Sequence, residues 1–203
     1  MTLKNVKKSL DKISRSLEQS HQMREYLIKN TRDVVNLCSQ AIISVHDEDL
    51  DSAKAKMLKA KRLLAVHKKK ADGEFARYLV MPEQEIVEAT SLIAVVEGKP
   101  IPSVESTEVS EESYILGLLD CVGELRRLIY DKIRIGRSVE AVHLFEIMEN
   151  LYLSLYPFAT YDKIVKEARK KLDVNRILVE ETRSALTEEI RRAELIAALN
   201  KMK

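Results

Sequence analysis

The 203-residue chain is long enough to bury a sizeable core, and residues 1–203 read as one domain. Five Gly, four Pro, no Trp and 5% aromatic residues, with long stretches rich in Leu, Ala, Lys, Glu and Arg, favour an all-α fold; no alternating run bounded by turn signals marks a sheet. With 34 basic against 32 acidic residues the net charge is +2, which excludes a bulk electrostatic attraction for nucleic acid and requires any basic surface to be local.

No Gly or Pro interrupts the chain from Leu3 to about His46, which predicts one unusually long helix. Asp47-Glu48-Asp49 marks a turn in which an acidic residue caps the next helix. That helix runs from about Leu50 to Ala71 and stops near Gly73. A third covers about Glu74 to Val96, with a kink or restart at Pro82, because proline lacks a backbone donor and crowds the preceding turn. Gly98-Lys99-Pro100-Ile101-Pro102-Ser103 ends this half, and the polar, acidic stretch from Ser103 to Glu112 reads as a mobile loop. A fourth helix, about Ser113 to Ile135, closes at Gly136, and a fifth, from Ser138 to about Tyr156, stops at Pro157. A shorter helix near Tyr161–Leu172 and a long one from about Asp173 to Lys201 bring the total to seven. The apolar stripes of helices as long as the first and last exceed what one protomer can cover. Helix stability depends mostly on such burial, so an oligomer is expected.

The N-terminus has no apolar secretory core, and no segment approaches 18 uninterrupted apolar residues, so no membrane association is expected. Cys38 and Cys121 lie in apolar helical surroundings without CxxC spacing, which reads as two buried thiols in a cytoplasmic protein.

Two acidic pairs carry the chemistry. Glu85 and Glu88 are spaced i to i+3, and Asp120 and Glu124 i to i+4, so each pair projects from one helix face about 5–6 Å apart at Cβ. If the two helices meet, four carboxylates converge, a donor set that suits Mg²⁺ or Mn²⁺ and so phosphoryl chemistry. The competing reading makes Asp120 and Glu124 part of a solvated stripe and leaves Glu85 and Glu88 in a solvated first turn after Pro82. Gly117 and Gly123 flank the acidic stripe of this helix, and each costs about 1 kcal/mol in a helix interior, which points to close approach of a backbone or ligand.

Lys56, Lys59, Arg62, Lys69 and Lys70 share a face of the second helix, either a solvated surface or a contact for phosphates. Aromatic residues are too scarce there for base stacking. His21, His46, His67 and His143 form no HExxH or His–carboxylate cluster and receive no catalytic role, and the six Met read as core fillers.

The segments Glu85-Ile-Val-Glu88-Ala-Thr-Ser and Tyr114-Ile-Leu-Gly117-Leu-Leu-Asp120-Cys-Val-Gly123-Glu124-Leu-Arg126-Arg127 resemble the translin superfamily, and its translin-associated factor X branch in particular. The resemblance extends loosely over most of the chain, through Thr31-Arg32-Asp33-Val34, Gly136 and the Tyr152–Tyr161 region. It implies a seven-helix protomer in a hollow, octamer-like shell, and an Mg²⁺-dependent endonuclease acting on single-stranded RNA inside it. Glu85, Glu88 and Asp120 match the branch's catalytic acids, with Glu124 alongside. The Lys-rich second helix looks more like translin itself, which binds nucleic acid without the full acidic set. The chain is therefore expected to combine binding and cleavage in one homo-oligomer.

The leading expectation is an Mg²⁺-dependent endoribonuclease for single-stranded RNA, with single-stranded DNA as a second ligand. A translin-like oligomer that binds without cutting is the first alternative. An all-α nucleotide pyrophosphatase ranks lower, because the second motif is DxxxE where that class would show ExxD. A ferritin-like di-iron site lacks its Glu-x-x-His pairs, and a plain helical scaffold follows if the carboxylates face solvent.

Overall fold

The uninterrupted opening segment forms a single helix, α1 (Lys4–His46), whose 43 residues extend about 65 Å at 1.5 Å per residue. The computed structural model describes residues 3–71 and 73–202. Leu27, Thr31, Val34, Cys38, Ala41 and Val45 are buried at alternating steps of four and three. The same register runs back through Leu17, Ile13, Leu10, Val6 and Leu3, which are between 48% and 64% exposed. One stripe therefore packs at its C-terminal half and projects bare at its N-terminal half.

Asp49 caps α2 (Leu50–Lys68) by accepting from Ser52 N at 3.0 Å, as the acidic turn predicts. The expected helix from Glu74 to Val96 is divided: residues Gly73–Tyr78 form a 3₁₀ turn, and α3 (Val80–Val96) starts afresh. Pro82 lies in its first turn, where a backbone donor has no intrahelical partner, so it restarts the helix without kinking it. The stretch expected as a loop from Ser103 to Glu112 contains a short helix, α4 (Val104–Thr107), capped by Ser103. Ser110 then caps α5 (Glu111–Arg134) through Ser113 N, so the helix takes in two residues assigned to that loop.

Gly98 and Gly136 hold φ of +65° and +75° just after α3 and α5, the left-handed geometry that lets a helix end turn back on its last carbonyls. After α6 (Ser138–Leu155) comes a 3₁₀ turn, Tyr156–Tyr161, and the last helix, α7 (Ala168–Lys201), begins five residues earlier than expected. No separate helix spans Tyr161–Leu172; the break falls at residues 162–167, where Glu167 adopts φ +71°. Among the described residues there are seven α-helices, the number expected, with α4 standing in for the absent short helix.

Helices α1, α3, α5 and α6 pack around a core that includes Leu27, Ile86, Leu92, Leu119, Leu125, Ile129 and Met148, with α2 laid against α1 and α7 against α5 and α6. α7 buries residues only as far as Leu186, and Leu195, Ile196 and Leu199 beyond it are exposed. Both long helices overhang the core. Among the described residues there is no strand, and no helix is long and apolar enough to cross a membrane.

The α3–α5 crossing is the tightest feature. A Cβ on Gly117 would lie 2.4 Å from the Gln84 carbonyl oxygen and 2.7 Å from Val87 Cβ, whereas one on Gly123 would meet nothing within 4 Å. The two glycines therefore respond with opposite sign to alanine. Overpacking against backbone costs about 1–3 kcal/mol, and helix propensity returns about 1 kcal/mol. Gly117→Ala should lower stability and Gly123→Ala raise it by about 1 kcal/mol, measured by urea unfolding. Equal effects at both positions would remove the close crossing from the account.

Candidate active site

The crossing at Gly117 brings Glu85 and Glu88 on α3 towards Asp120 and Glu124 on α5. Each carboxylate lies within the electrostatic field of the others. Glu85 is pushed above the ordinary carboxylate range by partial burial and by the charges of Asp120 and Glu124, against a pull from Lys171. Glu88 is pushed up to about 9, first by burial and then by Glu85, Asp120 and Glu124. Neither side chain makes a hydrogen bond or ion pair among the described residues. The solvated first-turn alternative is thereby corrected: Glu85 and Glu88 lie beyond the first turn of α3 and are half-buried.

Glu83, one turn away, is a useful contrast. Burial opposes its charge, yet Lys68 Nζ at 2.8 Å, Ser110 N at 3.0 Å and Ser113 Oγ at 2.8 Å donate to it, and its carboxyl titrates below the ordinary range. Glu83 is a fully partnered structural acid that ties α3 to α2 and to the start of α5. Glu85 and Glu88 are desolvated without such partners, a costly arrangement unless something offsets the charge.

Asp120 and Glu124 are engaged on one side. Lys171, from the second turn's start on α7, pairs with Asp120 Oδ1, and Gln84 Nε2 donates to Oδ2. Asn175 donates to the Leu119 carbonyl at 2.8 Å and so holds this part of α7 on α5. Glu124 Oε2 lies 2.8 Å from His46 Nε2, and the other ring nitrogen lies 3.2 Å from Asp131 Oδ2. The His46 side chain, at the last residue of α1, is only 5% exposed. His46, to which the sequence assigns no role, therefore forms a carboxylate cluster, and Lys171 is a second group the motifs do not reveal. Cys38 and Cys121 are free and buried, and burial with the nearby acids raises both thiols well above their ordinary range.

The donor set fits a hard divalent cation. It consists of carboxylate oxygens, its charge is only partly offset by Lys171 and Arg127, and the neighbouring thiols are held protonated. Among the described residues, however, no three of the His, Cys, Asp and Glu side chains are gathered into a group that could hold a metal ion. Asp120 turns to Lys171 and Gln84, and Glu124 turns to His46.

The basic face of α2 divides. Lys56 donates to Ser44 Oγ at 2.9 Å and to Ser52, and the ammonium of Lys70 sits 4.1 Å from the Tyr26 ring centre and 3.0 Å from its hydroxyl. Lys59, Arg62 and Lys69 are exposed and make no ion pair among the described residues. None of the five pairs with the four acids; the cations beside them are Lys171, paired with Asp120, and Arg127, whose guanidinium lies 3.8 Å from Glu124 Oε2. A cleft of about 330 Å³ opens beside Asp120, lined by Gly123, Glu167, Lys170, Lys171 and Asn175. The open space above Gly123 is part of it.

A family model described as the translin family matches residues 2–182. An uncharacterized protein of Methanocaldococcus jannaschii is 33% identical over 169 residues, covering 82% of this chain and 76% of its own. Among solved structures, AfC3PO superposes with a TM-score of 0.80 at 32% identity, over 92% of this chain and 99% of that one. AfC3PO in complex with duplex RNA gives 0.81 at 28% identity, over 92% and 98%. Apo-NeC3PO, 21% identical with a TM-score of 0.77 over 89% and 96%, shows the shared fold.

The elevated titration of Glu88 makes stability pH-dependent. Its carboxyl holds a proton up to about pH 9 when folded, against an ordinary value of 4.5, so the folded chain binds more protons than the unfolded chain between these limits. The contribution is complete below about pH 4.5 and is lost as pH rises towards 9. In a chelator, calorimetry should record a falling Tm across this window. Glu88→Gln should flatten the fall and raise Tm at pH 8 by about 5 °C or more, each kcal/mol being worth about 2–4 °C at this chain length. A glutamine variant that melts below the wild type at pH 8 would contradict the charge argument.

Proposed function

We propose, from the premise that the chain belongs to the translin family, that it is an Mg²⁺-dependent endoribonuclease acting on single-stranded RNA as a hollow homo-oligomer. The observation that carries this reading is the pair of half-buried, unpartnered carboxylates Glu85 and Glu88 facing Asp120 and Glu124, with Lys171 as the nearby cation. Desolvated acids without donors are found where charge is put to use more often than where it stabilises a fold. The acidic set also matches the translin-associated factor X branch of the family.

In this reading Glu85, Glu88 and Asp120 hold one or two Mg²⁺ or Mn²⁺ ions, and Glu124 serves as ligand or orienter. A bound ion supplies a Lewis acid for the phosphate and activates the attacking water. The protein's own groups account for the rest. His46, fixed between Glu124 and Asp131, holds the Glu124 carboxylate in one orientation. Lys171 is the cation placed to meet a phosphate once Asp120 is engaged elsewhere. Lys59, Arg62 and Lys69 on α2 remain free to hold the strand by its phosphates, which gives affinity with little sequence preference. Lys56 and Lys70 are drawn into contacts within the protomer and contribute less than their spacing implies.

The similarity to a structure in complex with duplex RNA supports RNA as the ligand class. The preference for single strands in cleavage rests on enclosure, since a flexible strand enters a closed interior more readily than a stiff duplex. The bare N-terminal stripe of α1 and the bare end of α7 supply apolar surface for assembly. Two buried free thiols suit a cytoplasmic location. A binding oligomer without cleavage is the second reading, and it is favoured by the existing ion pair of Asp120 with Lys171.

The deciding experiment is cleavage of an end-labelled single-stranded RNA in Mg²⁺ and in EDTA. Cutting should require Mg²⁺ and should fall by about a hundredfold or more in Glu88→Ala and Asp120→Ala, a loss of several kcal/mol of transition-state stabilisation. Oligomer size should be unchanged. RNA binding that persists in EDTA, with no cutting in Mg²⁺, selects the second reading.

Assembly is tested separately. Leu10→Glu with Leu17→Glu should reduce the sedimenting species to a smaller oligomer while leaving helicity intact. An unchanged sedimentation coefficient would show that this stripe does not join protomers.

A further inference from the structure

The chain holds only seven Tyr and three Phe, yet Tyr152, Tyr156 and Tyr161 fall within ten residues and line one cleft of about 790 Å³ at the start of α7. Tyr152 forms its floor at 8% exposure, whereas Tyr156 and Tyr161 are 58% and 52% exposed. The cleft also carries Lys163, Arg169 and Arg176, and none of these side chains makes an ion pair among the described residues. Two acids share the lining, so the cations are in excess by one. Asp162 is occupied as a cap, accepting from Arg169 N at 3.1 Å, and Asp173 is the other.

Shared lining residues connect this cleft to Asp120 at the edge of the acidic site. A middle section lined by Asp162, Arg169, Lys170, Asp173, Val174 and Arg176 shares residues with the tyrosine cleft. Through Glu167, Lys170 and Val174 it also shares residues with the cleft beside Asp120 and Lys171. The groove follows the first turns of α7. Arg169 and Arg176 lie about 10 Å apart along the axis at 1.5 Å per residue, a span of one to two nucleotides.

We propose that this groove is a binding subsite for single-stranded RNA that leads to the acidic site. Tyr156 and Tyr161 stack on bases, and Arg169 and Arg176 hold the intervening phosphates. The inference rests on RNA being the ligand, as under the proposed function, and adds the path of the strand. Stacking on exposed tyrosine is tolerant of sequence because every base has a ring face, and phosphate contacts by arginine are equally indifferent to sequence. A duplex buries its base faces within its own stack, so this subsite distinguishes single strands by chemistry rather than by access alone. On α2 the one ring beside the cations, Tyr26, is already covered by Lys70, whereas the start of α7 offers exposed rings and cations together.

The test is binding of a fluorescent ten-nucleotide single-stranded RNA to the full oligomer in EDTA, read by anisotropy at several salt concentrations. Tyr156→Ala with Tyr161→Ala should weaken binding about tenfold without changing the salt slope, and Tyr156→Phe with Tyr161→Phe should restore it. An abasic strand of the same length should bind wild type and alanine variant alike. Arg169→Gln with Arg176→Gln should weaken binding and make the slope shallower by about 1.4, at about 0.7 per phosphate contact in single strands. All four positions are exposed, and unchanged melting of the variants serves as the folding control. Wild-type affinity in the alanine pair, or an unchanged slope in the glutamine pair, overturns the proposal. A wild type that binds with these dependences but never cuts leaves the subsite standing and removes the nuclease. A wild type that cuts while the alanine pair and the glutamine pair both bind and cut normally does the reverse. Absence of RNA binding in the wild type removes both.

Discussion

The contact between α3 and α5 at Gly117 is the constraint on which the site depends. The helices approach so closely that a single added carbon would meet the Gln84 carbonyl oxygen at 2.4 Å. This draws the α3 backbone near Gln84 and Val87 against α5, and Glu85, Glu88, Asp120 and Glu124 are all within one to seven positions of that point. A larger residue would force the axes apart, admit water and dilute the mutual repulsion, weakening both the burial and the charge interactions that raise Glu85 and Glu88. The cost of a glycine within a helix is thus tied directly to the proximity of the acids.

Charge around this crossing is managed in two ways. Glu83 is buried but surrounded by donors from α2 and from the turn before α5, and it remains ionised. Glu85 and Glu88 have no such donors, and burial pushes their carboxyls up. The difference is not one of depth alone, since all three sit on one helix within six residues. It arises because Lys68 and the Ser110 cap face Glu83, whereas the side towards α5 presents two further carboxylates. Folding stability and site chemistry therefore use adjacent acids of one helix in opposite ways.

Much of this was legible in the residues because it depends on local spacing. The i to i+3 and i to i+4 pairs and the absence of breakers through α1 are properties of a single helix. The meaning of Gly117 also followed from its helical setting, though Gly123, read in the same way as a close approach of backbone or ligand, meets no atom within 4 Å and lines a cleft. What was not legible is contact between distant segments. His46 ends one helix and reaches Glu124, 78 positions on; Lys171 reaches back 51 positions to Asp120. Neither belongs to a motif, and periodicity cannot say which residues at helix ends meet. The break at residues 162–167 was misplaced for a related reason, since the chain turns there through a left-handed Glu167 and carries no glycine to mark it. On α2 the shared face of five cations was visible, but Ser44 and Tyr26 on α1 claim two of them.

The long helices connect these local facts. Because one register runs along α1 from Leu3 to Val45, apolar except at Ser20, Arg24 and Thr31, its buried half fixes Cys38 and His46 against the acids while its bare half extends away from the core. α7 repeats the arrangement in reverse: its first turns supply Lys171 and Asn175 to the site, and its far end is exposed. Each of these helices thus joins a fixed end at the acidic cluster to an apolar end that a lone protomer leaves in water. The placement of His46 and Lys171 beside the carboxylates is then a property of how whole helices are anchored, which is why no short stretch of sequence contains it.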